Sequence, residues 1–418
     1  MDLAGKKIVL GLTGGVACYK VAELTRLMTG AGATVQVVMT EAATQFITPV
    51  TMQALSGRTV YVNQWDSRVA NNMAHIDLTR DADAIVIAPC STDFLSKLAH
   101  GACDDLLSTL CVARPSHVRL FAAPAMNVEM WQNPATQRNA RQVEQDGIAL
   151  LGPAAGAQAC GETGMGRMLE PAELLEELVC AFADKPLAGK KILITAGPTF
   201  EPIDPVRGIT NLSSGKMGYA IARAARHAGA TVTLVSGPVA LPAPAGVHRI
   251  NVQTAQQMHD AVMSVVKGQE VFIAVAAVAD WRVANASTQK LKKQHGRSVP
   301  QLEFEQNPDI LATVAALPEA PYCVGFAAES ENLIMHGQAK RERKAVPLLV
   351  GNLGPQTFGQ DTNELVLFDA SGHVTLPAGD KQALAQELIV EIGRRLAAAA
   401  PAVASIPKPA KEHGKRTA

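Results

Sequence analysis

The stretch AGKKIVL at positions 4–10 decides the fold, because it returns almost unchanged as AGKKILI at positions 188–194. Each copy leads through a glycine-containing turn and a predicted helix to a second shared phrase, GATV, at 32–35 and 229–232. A strand, a glycine turn, a helix and a second parallel strand form the opening of a nucleotide-binding α/β domain. The repeat therefore predicts an α/β protein with two tandem Rossmann-like domains and mainly parallel sheets.

The two copies differ in length directly after the first strand. The second copy has extra residues in the segment 200–213. Ligands in open α/β sheets bind at the carboxyl ends of the strands, so this insertion is expected to contribute to a binding site.

Short apolar runs predict the strands, and apolar residues at helical spacing predict the helices. The run 84–88 is continuously apolar, which is typical of a parallel strand covered on both faces. Predicted helices cover 18–28 and 216–227, and the predicted strands are 7–10, 35–39, 84–88, 120–123, 192–195, 232–236, 271–276, 323–326 and 348–351.

The domain boundary is predicted around 183–189. This gives domains at 1–186 and 187–397, followed by an Ala-, Pro- and Lys-rich tail at 398–418 that reads as disordered and basic.

Bulk properties exclude several classes of protein. Lys plus Arg equals Asp plus Glu at 38 each in 418 residues, which argues against a nucleic-acid or membrane-surface partner. No apolar run approaches the ~18 residues that span a bilayer, and the N-terminus lacks a signal-peptide pattern. Seven cysteines without CxxC spacing are typical of reduced thiols, so a cytoplasmic enzyme is expected.

The first domain offers a phosphate site in its opening turn. Gly14 and Gly15 would expose backbone N–H groups beside a helix N-terminus. The turn lacks the GxGxxG pattern, which disfavours a dinucleotide. Thr40 and Ser91 follow two further strands, where their hydroxyls can bind phosphate or simply cap the next helix.

A more specific stretch is PAMNVEMW at 124–131, which puts an amide, two thioethers and an indole after a strand. Asn127 can fix a carboxylate by paired hydrogen bonds, although Met126 and its neighbours would also suit a core patch. His75 and Cys160 complete the set. Cys160 lies in the stretch 152–166, whose five glycines predict an irregular loop that can cover a site as a lid.

These residues closely resemble the flavin-containing cysteine decarboxylases. They are similar in particular to the decarboxylase half of the bacterial bifunctional phosphopantothenoylcysteine decarboxylase/phosphopantothenate–cysteine ligase family, and the resemblance covers nearly the whole chain. It implies that His75 is the base, Asn127 binds the substrate carboxylate and Cys160 donates a proton. It also implies an FMN cofactor contacted by Gly14, Gly15, Thr40, Ser91 and Met126, and substrate contacts from Asn127, Ala159, Cys160 and Gly161. Glu162 stands where the family usually has Asp.

The implied chemistry explains these residue types. Loss of CO2 from an amide-linked cysteine would leave an unstabilised carbanion. Oxidation of the CH2–SH group to a thioaldehyde puts a C=S group β to the carboxylate, and that group accepts the electrons to give an enethiolate. A flavin takes two electrons and returns them later, so no net oxidation occurs. His75 suits proton transfer near neutral pH, whereas a donor such as Cys160 should remain a protonated thiol.

Polar groups also follow the strands of the second domain. SSGKMG at 213–218 offers N–H groups, hydroxyls and an ammonium to phosphate, yet it is not a Walker A loop and could equally be an ordinary capped helix. Asp280 ends a run that is too apolar to leave a carboxylate without a partner. The runs NPDI at 307–310, KLKK at 290–293 and KRERK at 340–344 are each typical of a cap or a solvated face. Together at one sheet edge they predict a triphosphate pocket.

This half resembles the ligase half of the same family through ITN at 209–211, SSGKMG, AAVAD at 276–280 and the KLKK run. The resemblance implies that CTP converts 4′-phosphopantothenate into an acyl-cytidylate, which the amine of cysteine then attacks. The product, phosphopantothenoylcysteine, is the decarboxylase substrate. Asn211 would stabilise or release the anhydride, Arg207 would contact the substrate and Lys290 would help activation. The implied nucleotide contacts are Ala274, Val275, Ala276, Asp280, Lys290, Pro308, Asp309, Ile310, Leu311, Phe326, Lys340 and Lys344.

Charge that develops on phosphate calls for lysines and Mg²⁺. Asp280 is the leading candidate for the metal ligand, and direct contact with the nucleotide is an equal alternative. Phe200, Gly208 and Leu212 depart from the family pattern, where a basic residue, Tyr and a polar or basic residue are expected. The resemblance also implies a homo-oligomer, a dodecamer built from decarboxylase trimers and ligase dimers.

Two other function classes are less consistent with the sequence. A flavin-binding regulatory module without activity is disfavoured because His75, Asn127 and Cys160 are all present. An NAD-linked dehydrogenase is disfavoured because both opening turns lack GxGxxG.

Overall fold

The structure is a computed structural model that describes residues 2–65, 73–292, 301–353, 357 and 359–399. The chain forms two compact units, residues 1–183 and 184–418. Each unit is built on a mainly parallel sheet with helices between the strands, so the predicted pair of Rossmann-like domains is confirmed. Lys293 and residues 400–418 of the predicted tail lie outside the described residues.

The first unit contains a five-stranded parallel sheet in the order β2-β1-β3-β4-β5. Its strands are β1 (Lys7–Leu12), β2 (Thr34–Met39), β3 (Ala84–Cys90), β4 (Arg119–Pro124) and β5 (Ala149–Leu150), and a separate hairpin pairs β6 (Ala154–Ala157) with β7 (Thr163–Arg167). The helices in its described part are α1 (Cys18–Gly30), α2 (Pro49–Ser56), α3 (Ala74–Arg80), α4 (Thr92–His100), α5 (Leu106–Ala113), α6 (Val128–Gln132), α7 (Pro134–Gln145) and α8 (Pro171–Phe182).

Alternation along the central strands produces two cores, one on each face of this sheet. Ile8 and Leu10 of β1 pack with α1 on one face, whereas Val9 packs with Ile85 and α5 on the other. All seven residues of β3 are buried, as its continuous apolar run predicts. Packing on both faces holds the strands in place, so the loops at the carboxyl ends of the strands start from well-defined positions.

The second unit contains an eight-stranded sheet in the order β12-β11-β8-β13-β16-β17-β18-β19, in which the last two strands are antiparallel to their neighbours. The strands of this unit, including two small hairpins, are β8 (Lys191–Ala196), β9 (Phe200–Pro202), β10 (Gly208–Thr210), β11 (Thr231–Ser236), β12 (His248–Asn251), β13 (Val271–Ala274), β14 (Trp281–Val283), β15 (Phe304–Gln306), β16 (Tyr322–Glu329), β17 (Leu348–Leu353), β18 (Thr362–Asp369) and β19 (Gly372–Asp380). Its described helices are α9 (Lys216–His227), α10 (Ala255–Val265), α11 (Ile310–Ala315), α12 (Leu333–Lys344) and α13 (Lys381–Ala399).

The predicted elements are present, with three corrections. The glycine-rich stretch 152–166 is not irregular, because β6 and β7 form a hairpin there. The strand predicted at 271–276 ends at Ala274. Helix α13 runs to Ala399, two residues into the predicted tail. The insertion after β8 folds as the β9–β10 hairpin.

Candidate active sites

A cavity of about 390 Å³ lies at the carboxyl ends of the central strands of the first unit. The opening turn at Gly14 and Gly15, the start of α4, the loop after β4 and the β6–β7 hairpin surround it. Among the predicted site residues, the structure brings together Gly14, Gly15, Ser91, Met126, Asn127, Ala159 and Cys160.

The opening turn is tied to the loop after β3 by one hydroxyl. Thr13 Oγ1 donates a hydrogen bond to the Pro89 carbonyl at 2.6 Å and accepts one from the Ser91 amide at 2.9 Å. Ser91 Oγ in turn accepts from the Phe94 amide at 3.2 Å and caps α4. Ser91 therefore caps α4, which was one of its two expected roles, and the cap also holds this helix N-terminus beside the glycine turn.

Two backbone amides that follow β4 donate hydrogen bonds to the β6–β7 hairpin, one to a carbonyl and one to a side chain. The Met126 amide donates to the Gly166 carbonyl at 2.9 Å, and the Val128 amide donates to Gln158 Oε1 at 3.0 Å. Gly166 has φ +130°, and a Cβ built there would lie 2.5 Å from the Met126 carbonyl oxygen. Only glycine allows this close approach, so Gly166 sets the position of the hairpin over the cavity.

One carboxylate connects the predicted proton donor with the predicted carboxylate binder. The Cys160 thiol donates to Glu162 Oε2 at 3.3 Å, and Asn127 Nδ2 lies 3.4 Å from the same oxygen. Asn127 Oδ1 accepts from the Met130 amide at 2.9 Å and caps α6. Cys160 and Ala159 are exposed at the cavity, so a substrate can reach the thiol.

Two cationic residues that line this cavity, Lys20 and Arg167, are not among the predicted site residues. The side chain of Lys20 is only 7% exposed, and its Nζ donates to Glu170 Oε1 at 2.8 Å and to the Met168 carbonyl at 3.3 Å. The hydrogen bond from Lys20 lowers the pKa of the Glu170 carboxyl. Arg167 also lines the cavity. The signal for Lys20 was available, because it lies beside Val21 on the apolar stripe of α1.

His75, Thr40 and Gly161 are not lining residues of this cavity. His75 lies half-buried in the first turn of α3, and its carbonyl accepts from the Thr79 hydroxyl at 2.9 Å. Thr40 Oγ1 accepts from the Ala43 amide at 3.2 Å, which is the capping alternative.

In the second unit, the loop after β13 lies against the turn after β8. The Ala277 amide donates to the Gly197 carbonyl at 2.9 Å, and the Ala279 amide donates to Thr199 Oγ1 at 3.0 Å. Asn211 Nδ2 donates to the Ala277 carbonyl at 2.8 Å. The predicted catalytic amide is therefore held against the loop that carries the predicted nucleotide contacts Val275 and Ala276.

The insertion contains a buried carboxylate, Asp204, that the sequence reading passed over. Its Oδ1 accepts from the amides of Val206 and Arg207 at 2.8 and 2.9 Å, and its Oδ2 accepts from Arg207 Nε and the Leu291 amide, each at 3.1 Å. The Arg207 hydrogen bond in particular lowers the pKa of the Asp204 carboxyl. Lys290 is exposed and directly precedes Leu291 in the chain.

Asp280 is exposed, which corrects the expectation that the apolar run before it would bury and pair it. The strand ends at Ala274, so the last residues of the run leave the sheet. They contact the turn after β8 instead, and the carboxylate of Asp280 lies at the surface. The backbone carbonyl of Asp280 accepts from the Asn307 amide at 2.9 Å, and Asn307 Nδ2 donates to the Ala279 carbonyl at 2.8 Å.

Other predicted nucleotide contacts fall into two groups. Ala274 pairs with Gly325, so Phe326 lies one residue along the neighbouring strand. Pro308 precedes Asp309, which caps α11 and its first residues, Ile310 and Leu311. Lys344 forms an ion pair with Asp309, and Lys340 lies 3.6 Å from Glu329. Burial favours a raised pKa for Asp309, but the hydrogen bonds from Lys344 and the Ala312 amide hold its pKa below the usual value.

Two of the departures from the family pattern contact each other. A Cβ built on Gly208 would lie 2.3 Å from Cζ of Phe200 and 2.7 Å from the Glu201 carbonyl oxygen. The Phe200 ring therefore occupies the space where a side chain at 208 would begin. A neighbouring cavity of about 860 Å³ is lined by Phe200 and by residues 236–240, 249 and 251–253, and none of the predicted nucleotide contacts lines it.

Within the described residues, no three His, Cys, Asp or Glu side chains are grouped closely enough to hold a metal ion. Across those same residues, every helix is too short or too polar to span a membrane.

A flavoprotein-like unit with a thiol at its cavity, joined to a second α/β unit, defines a class of two-domain pantothenate-metabolism flavoproteins. The family described as "Flavoprotein" matches residues 1–183, and the family described as "DNA/pantothenate metabolism flavoprotein C-terminal domain" matches residues 187–396.

The chain belongs to the family of coenzyme A biosynthesis bifunctional proteins. It is 49% identical over 392 residues to the protein of this name, CoaBC, from Vibrio cholerae, covering 93% of this chain and 98% of the relative. It is 46% identical over 401 residues to CoaBC from Escherichia coli K12, covering 94% and 98%. The solved C-terminal domain of a CoaBC protein is 38% identical, covers 51% of this chain and 100% of that domain, and has a TM-score of 0.45. The resemblance stated from the sequence is confirmed: the chain is a bifunctional enzyme of coenzyme A biosynthesis with a decarboxylase unit and a ligase unit.

Proposed function

We propose that the second unit joins cysteine to 4′-phosphopantothenate with CTP, through an acyl-cytidylate, and that the first unit decarboxylates the resulting phosphopantothenoylcysteine with FMN to give 4′-phosphopantetheine. The observation that carries this proposal is the grouping of Asn127, Glu162 and Cys160 at the cavity beside Gly14 and Gly15. A proton donor and a carboxylate binder are two of the groups that the decarboxylation needs from the protein.

The cavity fits FMN on three counts. The glycine turn and the capped start of α4 direct backbone N–H groups to the same edge, which suits a phosphate. A Cβ at Gly15 would approach nothing closer than 3.9 Å, so this position is open to a ligand, whereas Gly14 already contacts the Ala42 side chain. Met126 and Met130 give the wall an apolar part for a ring system. When bound, FMN supplies a reversible two-electron oxidation of the substrate thiol.

The residues of the chain have separate tasks in this scheme. Asn127 Nδ2 is the donor for the substrate carboxylate, since Oδ1 accepts from the Met130 amide, and the substrate would replace the long contacts that Nδ2 makes with the carboxylates of Glu129 and Glu162. Cys160 delivers a proton from an exposed position, and Glu162 orients the thiol. Within one chain, His75 lies outside the cavity described above. A role for His75 as the base therefore requires another copy of the chain beside the cavity, which the trimer in the proposed dodecamer would provide.

In the ligase unit, Asn211, Arg207 and Lys290 are proposed to act on the acyl group. CTP is proposed to contact Ala274, Val275, Ala276, Asp280 and the start of α11, with Lys340 and Lys344 near its phosphates. Mg²⁺ is usually held by one or two carboxylates together with substrate phosphates. The exposed carboxylate of Asp280 fits that pattern, and it would help neutralise phosphate charge through the ion it holds.

All seven cysteines, which lie in the described part of the chain, are free thiols. This supports our proposal that the protein works in the reducing cytoplasm.

The decisive experiment is incubation of the flavin-loaded protein with 4′-phosphopantothenate, cysteine and CTP, omitting each in turn and following product masses. Full reaction should give 4′-phosphopantetheine. Omission of CTP should leave 4′-phosphopantothenate unchanged, and omission of cysteine should stop the reaction at the acyl-cytidylate. Phosphopantothenoylcysteine supplied directly should release CO2 without CTP. Protein that takes up no FMN, or ligation that proceeds without a nucleotide, would overturn the proposal.

A further inference from the structure

Asp204 lies in the loop between β9 and β10, and its buried carboxylate accepts hydrogen bonds from four groups. Its side chain is 0% exposed. Two backbone amides of the same loop, the Leu291 amide and the Arg207 guanidinium all donate to its two oxygens. A buried carboxylate with this many donors stays ionised and fixes every group that donates to it.

The partners of Asp204 come from two distant parts of the chain. Arg207 belongs to the insertion after β8, whereas Leu291 belongs to the basic run beside Lys290. Arg207 Nη2 also donates to the Leu291 carbonyl at 2.9 Å, and the Ser287 amide donates to the Ile203 carbonyl at 2.9 Å. Hydrogen bonds in addition to those of the Asp204 carboxylate therefore join the insertion to the segment 287–291.

The arrangement also leaves part of the Arg207 side chain available. Nε and Nη2 are used by Asp204 and Leu291, and the side chain as a whole is 49% exposed. Within the part of the chain that the structure describes, Nη1 has no hydrogen-bond partner. A guanidinium that is anchored on one edge and free on the other can offer a fixed donor to an anion.

We infer that Asp204 is a positioning residue of the ligase: it holds the Arg207 guanidinium and the Leu291 segment together, so that Arg207 and Lys290 meet the phosphopantothenate substrate in a fixed arrangement. The inference rests on the proposed roles of Arg207 and Lys290. It adds that Arg207 and Lys290 both depend on the Asp204 carboxylate for their full contribution to ligation.

The substitution Asp204→Asn tests this inference with little change in side-chain size. It replaces an acceptor oxygen with an NH2 donor that faces the donors of Arg207 and Leu291, so the hydrogen bonds to them are lost. We expect KM for 4′-phosphopantothenate to rise about tenfold or more, the effect of losing a charge-assisted hydrogen bond, with a smaller change in kcat. In an Arg207→Ala background the same substitution should raise KM by a smaller factor than it does in the wild-type protein, because only the Leu291 segment is then left for Asp204 to hold.

Chemical rescue separates positioning from a general structural role. Free guanidinium should restore part of the ligation in Arg207→Ala, since Asp204 can still bind it, and should fail in the double variant Asp204→Asn/Arg207→Ala. The matched control is Asp260→Asn, an exposed acid on α10 whose carboxylate also accepts side-chain hydrogen bonds. Ligation by that variant should be unchanged, and decarboxylation by the first unit should be unchanged in every variant.

Ligation by Asp204→Asn within about twofold of wild type, or equal rescue with and without Asp204, would overturn the inference. If Asp204→Asn does not fold, Arg207→Lys answers the same question, because an ammonium cannot bridge Asp204 and Leu291 while presenting a second edge; wild-type KM in that variant would overturn the inference. Unchanged ligation in both Arg207→Ala and Lys290→Ala would instead refute the proposed roles themselves.

Discussion

Gly166→Ala should disable the decarboxylase unit while leaving the ligase unit active. Gly166 has φ +130°, and the new Cβ would lie 2.5 Å from the Met126 carbonyl oxygen and 3.1 Å from that of Asn127. The backbone conformation costs an L-residue about 1–3 kcal/mol. The collision is with backbone atoms, which cannot rotate away, and overpacking of this kind costs a further ~1–3 kcal/mol.

The hairpin can relieve this strain only by moving away from the loop after β4. That movement breaks the hydrogen bond between the Met126 amide and the Gly166 carbonyl, and it carries Cys160 away from Asn127. At about 1.4 kcal/mol for each factor of ten, a cost of about 2–6 kcal/mol should lower the population of the assembled site at least tenfold. CO2 release from phosphopantothenoylcysteine, measured together with bound flavin per chain, should fall accordingly.

The matched control is Gly101→Ala, which also places alanine at a positive φ, +67°, in the same unit. No atom lies within 4 Å of the Cβ built there, so this variant tests the backbone cost without the collision. It should keep flavin and decarboxylation. If Gly166→Ala also kept both within about twofold of wild type, the close approach of the hairpin would not be what assembles the site.

Three further outcomes are expected. Cys160→Ser should retain FMN and release CO2 but stall before 4′-phosphopantetheine, and complete conversion would refute the donor role. Asn211→Asp replaces an amide donor to the Ala277 carbonyl with a second acceptor, so the acyl-cytidylate should accumulate in a mass-spectrometric time course; ordinary ligation without a trapped intermediate would count against this role. Hydrogen bonds from Ser371, together with Arg395, lower the pKa of Asp369 to about 2, so its stabilising effect is present above the unfolded pKa of ~4 and disappears as the pH falls towards 2. Asp369→Asn should therefore cost about 1–2 kcal/mol of unfolding free energy at pH 7 and clearly less at pH 3 in urea titrations; an equal cost at both pH values would contradict a stabilising role for the ionised carboxylate.

Much of the fold follows from local sequence. The repeated phrases place β1 and β8, and the continuous apolar run of β3 predicts a strand buried on both faces. Helix α9 begins and ends where the apolar spacing predicts, at Lys216 and His227. These elements are predictable because propensity, periodicity and burial agree for them.

The elements that the sequence missed depend on contacts between distant segments. Strands β6 and β7 are built from AAGA and TGMGR, in which Thr163 is the single β-branched residue and small residues predominate, so the usual signal of a strand is weak. Their position depends on hydrogen bonds to Met126 and Val128 instead. Asp280 was expected to be buried because local apolarity does not reveal where a strand leaves its sheet.

The residues of the candidate site also fall into those that the sequence predicts and those that it does not. Side chains at the ends of predicted strands, such as Asn127, could be placed at a common edge from topology alone. Lys20 could be noticed as a charge on the apolar stripe of α1, but its partner Glu170 is remote in sequence. Asp204 could not be recognised as a site residue, because it is significant only through contacts such as that with Leu291, which is also remote in sequence.

The packing of Phe200 against Gly208 makes the two positions evolutionarily interdependent. A tyrosine arising at 208 while the ring is in place would meet both the ring and the Glu201 carbonyl. Replacement of the ring by a flexible basic chain would remove the first obstacle and let the short hairpin widen. A side chain at position 208 should therefore be tolerated better after position 200 has changed than before it.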